Sequence, residues 1–441
     1  MSRWIVICSL LVFVGQGVYA FDIKRLRTYF VRSPLYQKLD LDLWLAKNDL
    51  AQSLSLLDSE LGGVAENKEY PLSSAKFFKM ALQKRFVTDM TIFGGYRYAK
   101  GVQEYSNIKT GARGEYLVGF KLPLLSLIAR LSRTLAHIQQ AKLSVVREKV
   151  ELHRLRLELW QRVQEAYYTL ALAKTKERSI YAMVEKAKSL QRIVQQKVER
   201  GVLAKIALDE IALMVASRQR AWEESRLEVK QANNLLNFLL GSRIDPSQIP
   251  KLPPFDRKFL SKQQALALAL GRSLELRKIE VAQRVNDIKK RSLMLWRGQA
   301  DLALYGVYDP IYKEGYKASF TLSIALTQRA FKAKRERVKI ENLKLSYQRK
   351  IEKESIVRSV EDLYAQIKSQ KRIRTLLQKR VGMSERLFFA QKKRFESGVG
   401  SLFLLNEREL ALLQNRLDLL QSRYRLWILF CRYQKLLVEG L

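Results

Sequence analysis

The chain has 441 residues and a formal net charge of +37, from 80 Lys and Arg against 43 Asp and Glu. It contains two cysteines and two histidines, and His137 and His153 are not at a metal-ligand spacing. This composition excludes a disulfide scaffold and offers no catalytic set, so we expect no enzyme activity, no metal and no cofactor. A basic chain can bind nucleic acid, but this charge is spread over helical stretches without a reading or stacking motif, and we expect no nucleic-acid partner.

The first twenty residues have the pattern of a secretory signal peptide. Arg3 supplies the positive charge, residues 4–14 are apolar, and Ala20 ends a small-residue cleavage site. The apolar run is shorter than the roughly 20 residues that a membrane span needs. We therefore expect export and removal of residues 1–20, which leaves Cys431 without an internal disulfide partner.

Two stretches without Gly or Pro, residues 124–200 and 316–381, predict long helices. In the first, apolar residues recur every seven positions, which is the coiled-coil period. Those positions are Leu131, Ile138, Val145, Leu152, Leu159, Ala166, Ala173, Ile180, Ala187 and Val194. The predicted helices are the long ones at about 126–200 and 328–397, shorter ones at about 203–240 and 401–438, and further helical stretches at about 36–60 and 262–296.

The chain also repeats itself at about half its length. Gly201 and Gly398 are separated by 197 residues, as are Val202 and Val399. Each glycine lies between a long helix and a shorter one, where a tight turn is needed. The sequence therefore predicts a processing segment at 1–20 and a first structural repeat at 21–241. A Pro-rich linker at 242–261 separates it from a second repeat at 262–441.

Each half also contains segments in which apolar residues alternate with small or polar ones. Phe320, Leu322 and Ile324 alternate with Ser319, Thr321 and Ser323 in the clearest case, which is typical of a strand with two different faces. Strands are predicted at about 87–98, 115–124, 300–308 and 317–326. Two isolated hairpins are marginal in water, so we expect them to close with copies from other chains.

This pattern resembles the TolC-like outer-membrane efflux proteins, over nearly all of the chain that follows the predicted signal peptide. The turn motifs Gly201-Val-Leu-Ala204 and Gly398-Val-Gly-Ser401, the Asn233-Asn-Leu-Leu236 segment and the duplicated element order carry the resemblance. It implies a mainly α fold with a small β part. Three copies would form a coiled-coil α-helical barrel and a 12-stranded transmembrane β-barrel, to which each chain contributes four strands.

The resemblance also implies a function. The trimer would lie in the outer membrane of a Gram-negative-type cell and extend its helices into the periplasm. There it would dock a periplasmic adaptor and an inner-membrane transporter, and conduct substrate passively in efflux or type I secretion. The alternative is a periplasmic coiled-coil adaptor or scaffold, although adaptors have a β-rich body after the hairpin, whereas both halves here end in helix.

Three groups of residues are candidate sites. The first would contact the adaptor from the helix tips, and it comprises Gly201, Val202, Leu203, Gly398, Val399 and Gly400. The second would narrow the pore: relatives often carry Asp six residues after each turn glycine, where this chain has Ala207 and Leu404. Carboxylates nearby could replace them, and the candidates are Glu407, Asp209 and Glu210, together with the amide side chain of Asn406.

The third group is basic and flanks the predicted strands at the places where helix meets strand. It comprises Lys84, Arg85, Arg130, Arg133, Lys289, Lys290, Arg291, Arg329, Lys332, Lys334 and Arg335. We expect these residues to form one ring beside the outer-membrane lipid, because basic side chains are attracted to anionic headgroups. Tyr96, Tyr98, Tyr305 and Tyr308 are expected toward the opposite end of the strands.

Overall fold

The computed structural model describes residues 22–70, 73–101, 110–324 and 326–439. The predicted signal peptide lies outside these residues. The chain divides into two compact units. The helical unit contains the described residues of Met1–Asp40, Arg154–Ser273 and Ser355–Leu441, and the sheet unit contains those of Leu41–His153 and Leu274–Glu354.

Nine α-helices are found in the described residues. The helices are α1 Ile23–Arg32, α2 Pro34–Leu54, α3 Leu124–Ala129, α4 Arg133–Glu199, α5 Ile206–Leu240, α6 Lys262–Arg272, α7 Leu274–Ser292, α8 Arg329–Glu396 and α9 Leu402–Leu436. Four of them contain most of the helical residues: the long helices α4 and α8 and the shorter helices α5 and α9. The matching pairs are nearly equal in length, with 67 and 68 residues in α4 and α8, and 35 residues in each of α5 and α9.

The apolar residues that recur every seven positions along the first long helix form its buried stripe. Nine of the ten predicted positions are buried, and Leu159 is half-buried. Around the middle of α4, Val163 and Leu170 are fully buried in a cluster that includes Phe30 of α1 and Trp427 of α9. Burial of one apolar stripe is what stabilises a helix of this length, because helix propensity alone contributes little.

The first long helix does not run without interruption from 126, as we predicted. Arg130 has a left-handed conformation (φ 50°) and separates α3 from α4. The new helix begins where the Asp89 carboxylate accepts hydrogen bonds from the amides of Arg133 (2.8 Å) and Thr134 (3.1 Å). The break is imposed by a contact with a distant turn, and neither Gly nor Pro marks it in the sequence.

Two other predicted helical stretches differ from the structure: one ends earlier than predicted, and the other is divided into two helices. The stretch predicted at 36–60 is helical only to Leu54, and after a 3-10 turn the chain enters a strand at Ser59. The stretch predicted at 262–296 breaks at Ser273, whose backbone is extended (ψ 120°). Ser261 starts α6 with a capping box in which its side chain and that of Gln264 each accept from the other's backbone amide.

One antiparallel sheet of six strands contains all the strands of the described residues, in the order β1-β2-β3-β4-β5-β6. Their bounds are β1 Ser59–Tyr70, β2 Ser73–Arg85, β3 Thr91–Gly101, β4 Glu115–Pro123, β5 Gly298–Asp309 and β6 Lys313–Ile324. The four predicted strands correspond to β3 to β6. The start predicted at 87 is wrong, because residues 86–90 form the turn between β2 and β3.

The β1–β2 hairpin was not predicted, and the sheet therefore has six strands where we expected four. Strand β1 contains Gly62, Gly63 and four charged residues, so it has no apolar alternation of its own. Strand β2 does carry a signal, since Phe78, Met80 and Leu82 occupy alternate positions. This alternation can be recognised as a strand pattern only when β3 is known to lie beside β2.

No helix in the described ranges is long and apolar enough to cross a membrane. Within the same ranges, no group of His, Cys, Asp and Glu side chains could hold a metal ion.

Candidate functional site

The sheet has one face that is apolar across all six strands. Side chains point alternately to the two faces, so the register between strands defines each face. Charged residues on the apolar face occur only near its two ends, for example Lys84 and Glu314. Its large side chains are Leu61, Phe78, Met80, Leu82, Ile92, Tyr96, Tyr98, Tyr116, Val118, Phe120, Leu122, Leu302, Leu304, Tyr308, Tyr316, Phe320, Leu322 and Ile324.

The opposite face, which we call the polar face, carries most of the hydrogen-bonding side chains. They are Glu60, Gln83, Lys79, Arg97, Glu115, Lys121, Gln299, Asp301, Lys317, Ser319, Thr321 and Ser323, interspersed with apolar residues such as Leu117. Here Arg97 forms an ion pair with Glu115, and Lys121 forms one with Asp301 at 2.7 Å.

Burial of the two faces of β4 is the reverse of that in a water-soluble sheet. On β4, Glu115, Leu117 and Gly119 of the polar face are buried, whereas Tyr116 and Val118 of the apolar face are 55% and 68% exposed. On the edge strand β6 both faces are exposed, and the apolar Phe320 is 58% exposed. A single chain thus leaves a large apolar surface uncovered, and such a surface marks a contact with lipid or protein.

The register places the ends of all six strands in two groups. One end of the sheet contains the start of β1, the end of β2 and the start of β3, and continues with the end of β4, the start of β5 and the end of β6. We call this the helix-side end, because α3, α8 and the 3-10 turn before β5 adjoin it. Tyr96 and Tyr308 share a row with Tyr116 closer to the other end, and Tyr98 lies beyond that row, as predicted. The prediction is wrong for Tyr305, which lies near the middle of β5 and on the polar face.

All the predicted basic residues belong to the sheet unit and lie in elements at or next to the helix-side end. Lys84 and Arg85 are there for a different reason than predicted: they end β2 beside a hairpin turn, and the helix-to-strand junction of the first half is at residues 55–58. Nine members are exposed, and Lys289 and Lys334 are half-buried.

Several of these cations already have partners. Lys289 donates to Glu341 at 3.0 Å, and this hydrogen bond lowers the pKa of the Glu341 carboxyl. Arg133 donates to the carbonyl of Leu295 at 2.8 Å. The Lys334 ammonium lies over the ring of Trp296, and burial together with nearby Arg133 lowers its pKa. These contacts fix the junction itself, so the exposed members other than Arg133 are the ones available to a ligand.

Exposed apolar side chains accompany the cations at the helix-side end. Leu127 and Ile128 of α3 are 50% and 69% exposed immediately before Arg130. Trp296 is half exposed, and Leu326 is almost fully exposed just before Arg329. Mixed aromatic, aliphatic and basic side chains are typical of the boundary between hydrocarbon and headgroups.

The two turn glycines occupy identical backbone environments in the helical unit. Gly201 (φ 74°) and Gly398 (φ 83°) are both left-handed, which glycine adopts without strain. Each donates to the carbonyl three residues back, at 2.9 and 3.1 Å, and the following valine donates to the carbonyl five residues back, at 2.8 and 3.0 Å. This is the Schellman arrangement that ends a helix, so both glycines lie in the turns where we predicted them.

The two turns lie next to each other. The Lys197 ammonium, before the first turn, lies 4.9 Å from the ring centre of Phe395, before the second. A single apolar cluster joins both, with Val194 and Ile211 from the first half and Phe395 and Leu405 from the second. The rest of the predicted tip set is as follows: Val202 and Val399 are 63% and 74% exposed, Leu203 is half-buried, and Gly400 packs against the backbone of residues 394–395.

The predicted constriction residues have different surroundings. Asp209 is exposed in the first turn of α5, and Glu210 and Glu407 are exposed in the second turns of α5 and α9. Asn406 is half-buried, and its side-chain oxygen accepts a hydrogen bond from Arg218 at 3.0 Å. Of the two positions that replace the aspartates of relatives, Ala207 is buried in the apolar cluster and Leu404 is 47% exposed.

Sequence reasoning missed the residue that binds Asn406. Arg218 of α5 is 5% exposed and also contacts Glu409 of α9 at 2.6 Å and the carbonyl of Met183 in α4. One buried guanidinium therefore joins three helices and both halves of the chain. The sequence did contain a signal for this residue. Arg218 follows Ile211 and Met214 at helical spacing, so it is a charged residue on the buried face of α5.

Comparisons with known proteins establish the fold. No family model and no curated protein matches the chain. Among solved structures, the outer membrane protein VceC from Vibrio cholerae has 13% identity and a TM-score of 0.69, with 95% of this chain and 96% of that chain covered. CusC has 13% identity, a TM-score of 0.73 and coverage of 98% and 96%. The open-state outer membrane channel MtrE from Neisseria gonorrhoeae has 13% identity, a TM-score of 0.69 and coverage of 95% and 89%. The chain has the fold of these outer-membrane channels.

Proposed function

We propose that this chain is the outer-membrane channel of a tripartite efflux or type I secretion system. Three copies would form the channel, and an inner-membrane transporter and a periplasmic adaptor would supply substrate and energy. The observation that carries the proposal is the six-stranded sheet with a continuous apolar face that is left exposed, and on β4 the apolar face is more exposed than the polar one. The fold, which resembles that of outer-membrane channels over nearly the whole chain, supports the same interpretation.

The chemistry of the two faces fits lipid on one side and water on the other. Membrane strands alternate between lipid-facing apolar residues and lumen-facing polar residues. Val118 and Phe320 would face hydrocarbon, where charged side chains are costly. Arg97, Glu115 and Lys121 would face the lumen side, where ion pairs with Glu115 and Asp301 compensate the charges away from hydrocarbon.

We propose that the helix-side end of the sheet is the periplasmic one. Its exposed cations would bind anionic headgroups of the outer-membrane lipid, each contributing about 1 kcal/mol before screening by salt. Leu127, Ile128 and Trp296 would enter the interfacial layer beside them. The turns at Gly201 and Gly398 would then lie in the periplasm and meet the adaptor through Val202 and Val399.

Cysteines at Val202 and Val399 should crosslink to the adaptor, and labelling of either cysteine from the cell exterior alone would contradict this orientation.

The acidic side chains near the turns give the channel a candidate constriction. Three copies of Glu407, with Asp209 and Glu210 nearby, would place carboxylates around one axis, where they would repel one another and hold water and cations. Asn406 would contribute indirectly, because its hydrogen bond with Arg218 holds the N-terminal part of α9 in place. No chemical step is required of any residue, since conduction is passive.

Two adjacent residues of β6 allow a matched test of membrane insertion. Phe320 belongs to the apolar face and Ser319 to the polar face, and both are exposed in the single chain. Lysine at a lipid-facing midplane position costs roughly 2–4 kcal/mol. Phe320→Lys should therefore reduce the fraction of protein recovered in outer membranes, whereas Ser319→Lys should not.

The same pair separates the channel from the alternative, a periplasmic scaffold. A scaffold would be recovered without detergent, and both lysine variants would behave alike. The channel should instead require detergent and should conduct ions after reconstitution into planar bilayers. Recovery of the unmodified protein in the soluble periplasmic fraction would refute the proposal.

A further inference from the structure

The sheet has two open edges. Within the described strands, β1 is paired only with β2, and β6 is paired only with β5. Each edge strand is 12 residues long, and β6 is exposed along its whole length. Edge strands present unpaired amide and carbonyl groups, and hydrocarbon offers these groups no hydrogen-bonding partner. A sheet that enters a bilayer must therefore have both edges covered.

The two edges are complementary in direction and length. Every neighbouring pair in the sheet is antiparallel and the number of strands is even, so β1 and β6 run in opposite directions. Strand β6 of one copy can therefore meet β1 of another in the antiparallel arrangement that the rest of the sheet has. Equal strand lengths allow the pairing to continue from one end to the other.

The edges are also complementary in charge. On the polar face, β1 carries Glu60, Glu66 and Lys68, with one net negative charge, and β6 carries Lys313 and Lys317, with two positive charges. Facing strands with opposite charges on one face stabilise each other, whereas two like-charged edges would not. On the other face, Leu61 of β1 would extend the apolar surface that ends with Phe320 on β6.

We infer that β6 of each copy pairs with β1 of the next copy, and that the channel is a barrel of eighteen strands, six from each of three chains. The inference rests on the proposed trimeric channel. It departs from the twelve strands implied by the family resemblance, because the β1–β2 hairpin becomes part of the wall. Barrel diameter grows roughly linearly with strand number, and barrels of 16–18 strands enclose an aqueous channel. The membrane part would then admit solutes as large as those that pass through porins. Any tighter selection by size would take place in the helical part of the channel.

Crosslinking between copies tests which strand meets β6. Glu66→Cys is combined in turn with Lys313→Cys, Lys317→Cys and Thr321→Cys, all on the polar face and spaced so that one of them lies close to Glu66 in any register. A short bismaleimide is then applied to the assembled protein in outer membranes. The buried Cys431 is retained, since its thiol is shielded from the reagent. We expect covalent dimers and closed trimers with one of the three combinations.

A second pair represents the twelve-stranded arrangement. If the β1–β2 hairpin stayed outside the wall, β6 would pair with β3, and Ala99→Cys on the polar face of β3 would crosslink with Lys317→Cys. Crosslinking of that pair alone, or of neither pair in a protein that still conducts ions, would overturn the eighteen-stranded barrel and leave the channel function standing. Absence of conduction and of trimers would instead refute the proposed function itself.

Discussion

The guanidinium of Arg218 lies 2.6 Å from the carboxylate of Glu409, with side chains only 5% and 13% exposed. This ion pair connects α5 of the first half with α9 of the second, close to the turns that end both long helices. A buried pair of this kind contributes little relative to a well-packed apolar pair, but the loss of one partner leaves a buried charge without compensation.

We therefore predict that Glu409→Ala lowers the free energy of unfolding by about 3–5 kcal/mol. The double variant Arg218→Met with Glu409→Leu should recover most of that loss, because no buried charge remains. Chemical unfolding of the detergent-solubilised protein, followed by helical circular dichroism, measures both. Arg416 and Glu385 provide the control, as their pair is just as short (2.7 Å) but 52% and 37% exposed. Glu385→Ala should cost less than about 1 kcal/mol, and equal losses at both sites would contradict the argument from burial.

The turn glycines lead to a prediction about backbone conformation. A Cβ at Gly201 or Gly398 would meet no atom within 4 Å, so the whole cost of alanine there comes from the positive φ. Gly201→Ala and Gly398→Ala should each destabilise by roughly 1–2 kcal/mol, and Asn should cost less because it tolerates this conformation. Thermal unfolding is the measurement.

Gly382 is the control for these variants, because it lies inside α8 with equally open space. Gly382→Ala should stabilise by up to about 1 kcal/mol, since alanine favours helix. Gly400→Ala is expected to destabilise for a different reason: its Cβ would lie 2.7 Å from the Phe395 amide nitrogen. Asparagine should not rescue that position, and a rescue would show that φ matters there as well.

Glu407 is predicted to control cation passage. Replacing it with alanine removes three carboxylates from the proposed constriction, so single-channel recordings of Glu407→Ala should show weaker block by divalent cations and altered conductance. Glu385→Ala, which removes an exposed carboxylate from α8, serves as the control. An unchanged channel would restrict Glu407 to favouring the start of its helix.

The exposed cations after β6 are predicted to interact with anionic lipid. Charge reversal of Arg329, Lys332 and Arg335 to Glu should lower the yield of assembled protein in anionic bilayers more than in neutral ones. The control reverses Lys344, Arg349 and Lys350, which are equally exposed further along the same helix. Losses that do not depend on lipid charge, or that are the same for both triplets, would remove the lipid contact from the proposal.

The sequence alone determined the repeating parts of this protein. From Ile138 to Val194, every seventh residue except the half-buried Leu159 is buried, because a long helix can bury only one stripe. The turns at Gly201 and Gly398 were predictable because glycine accepts the left-handed conformation that ends a helix there. These are local rules, and they are visible wherever the pattern continues for several turns or alternations.

Tertiary structure decided the features that depend on a distant partner. Arg130 separates two helices because Asp89 caps the second one from a turn about forty residues earlier. Strand β1 lacks apolar alternation and is a strand because β2 lies beside it. Asn406 is fixed by Arg218, which is 188 residues away along the chain. In each case the energy comes from a contact between segments far apart in the sequence, and the residues themselves carry no local pattern that marks it.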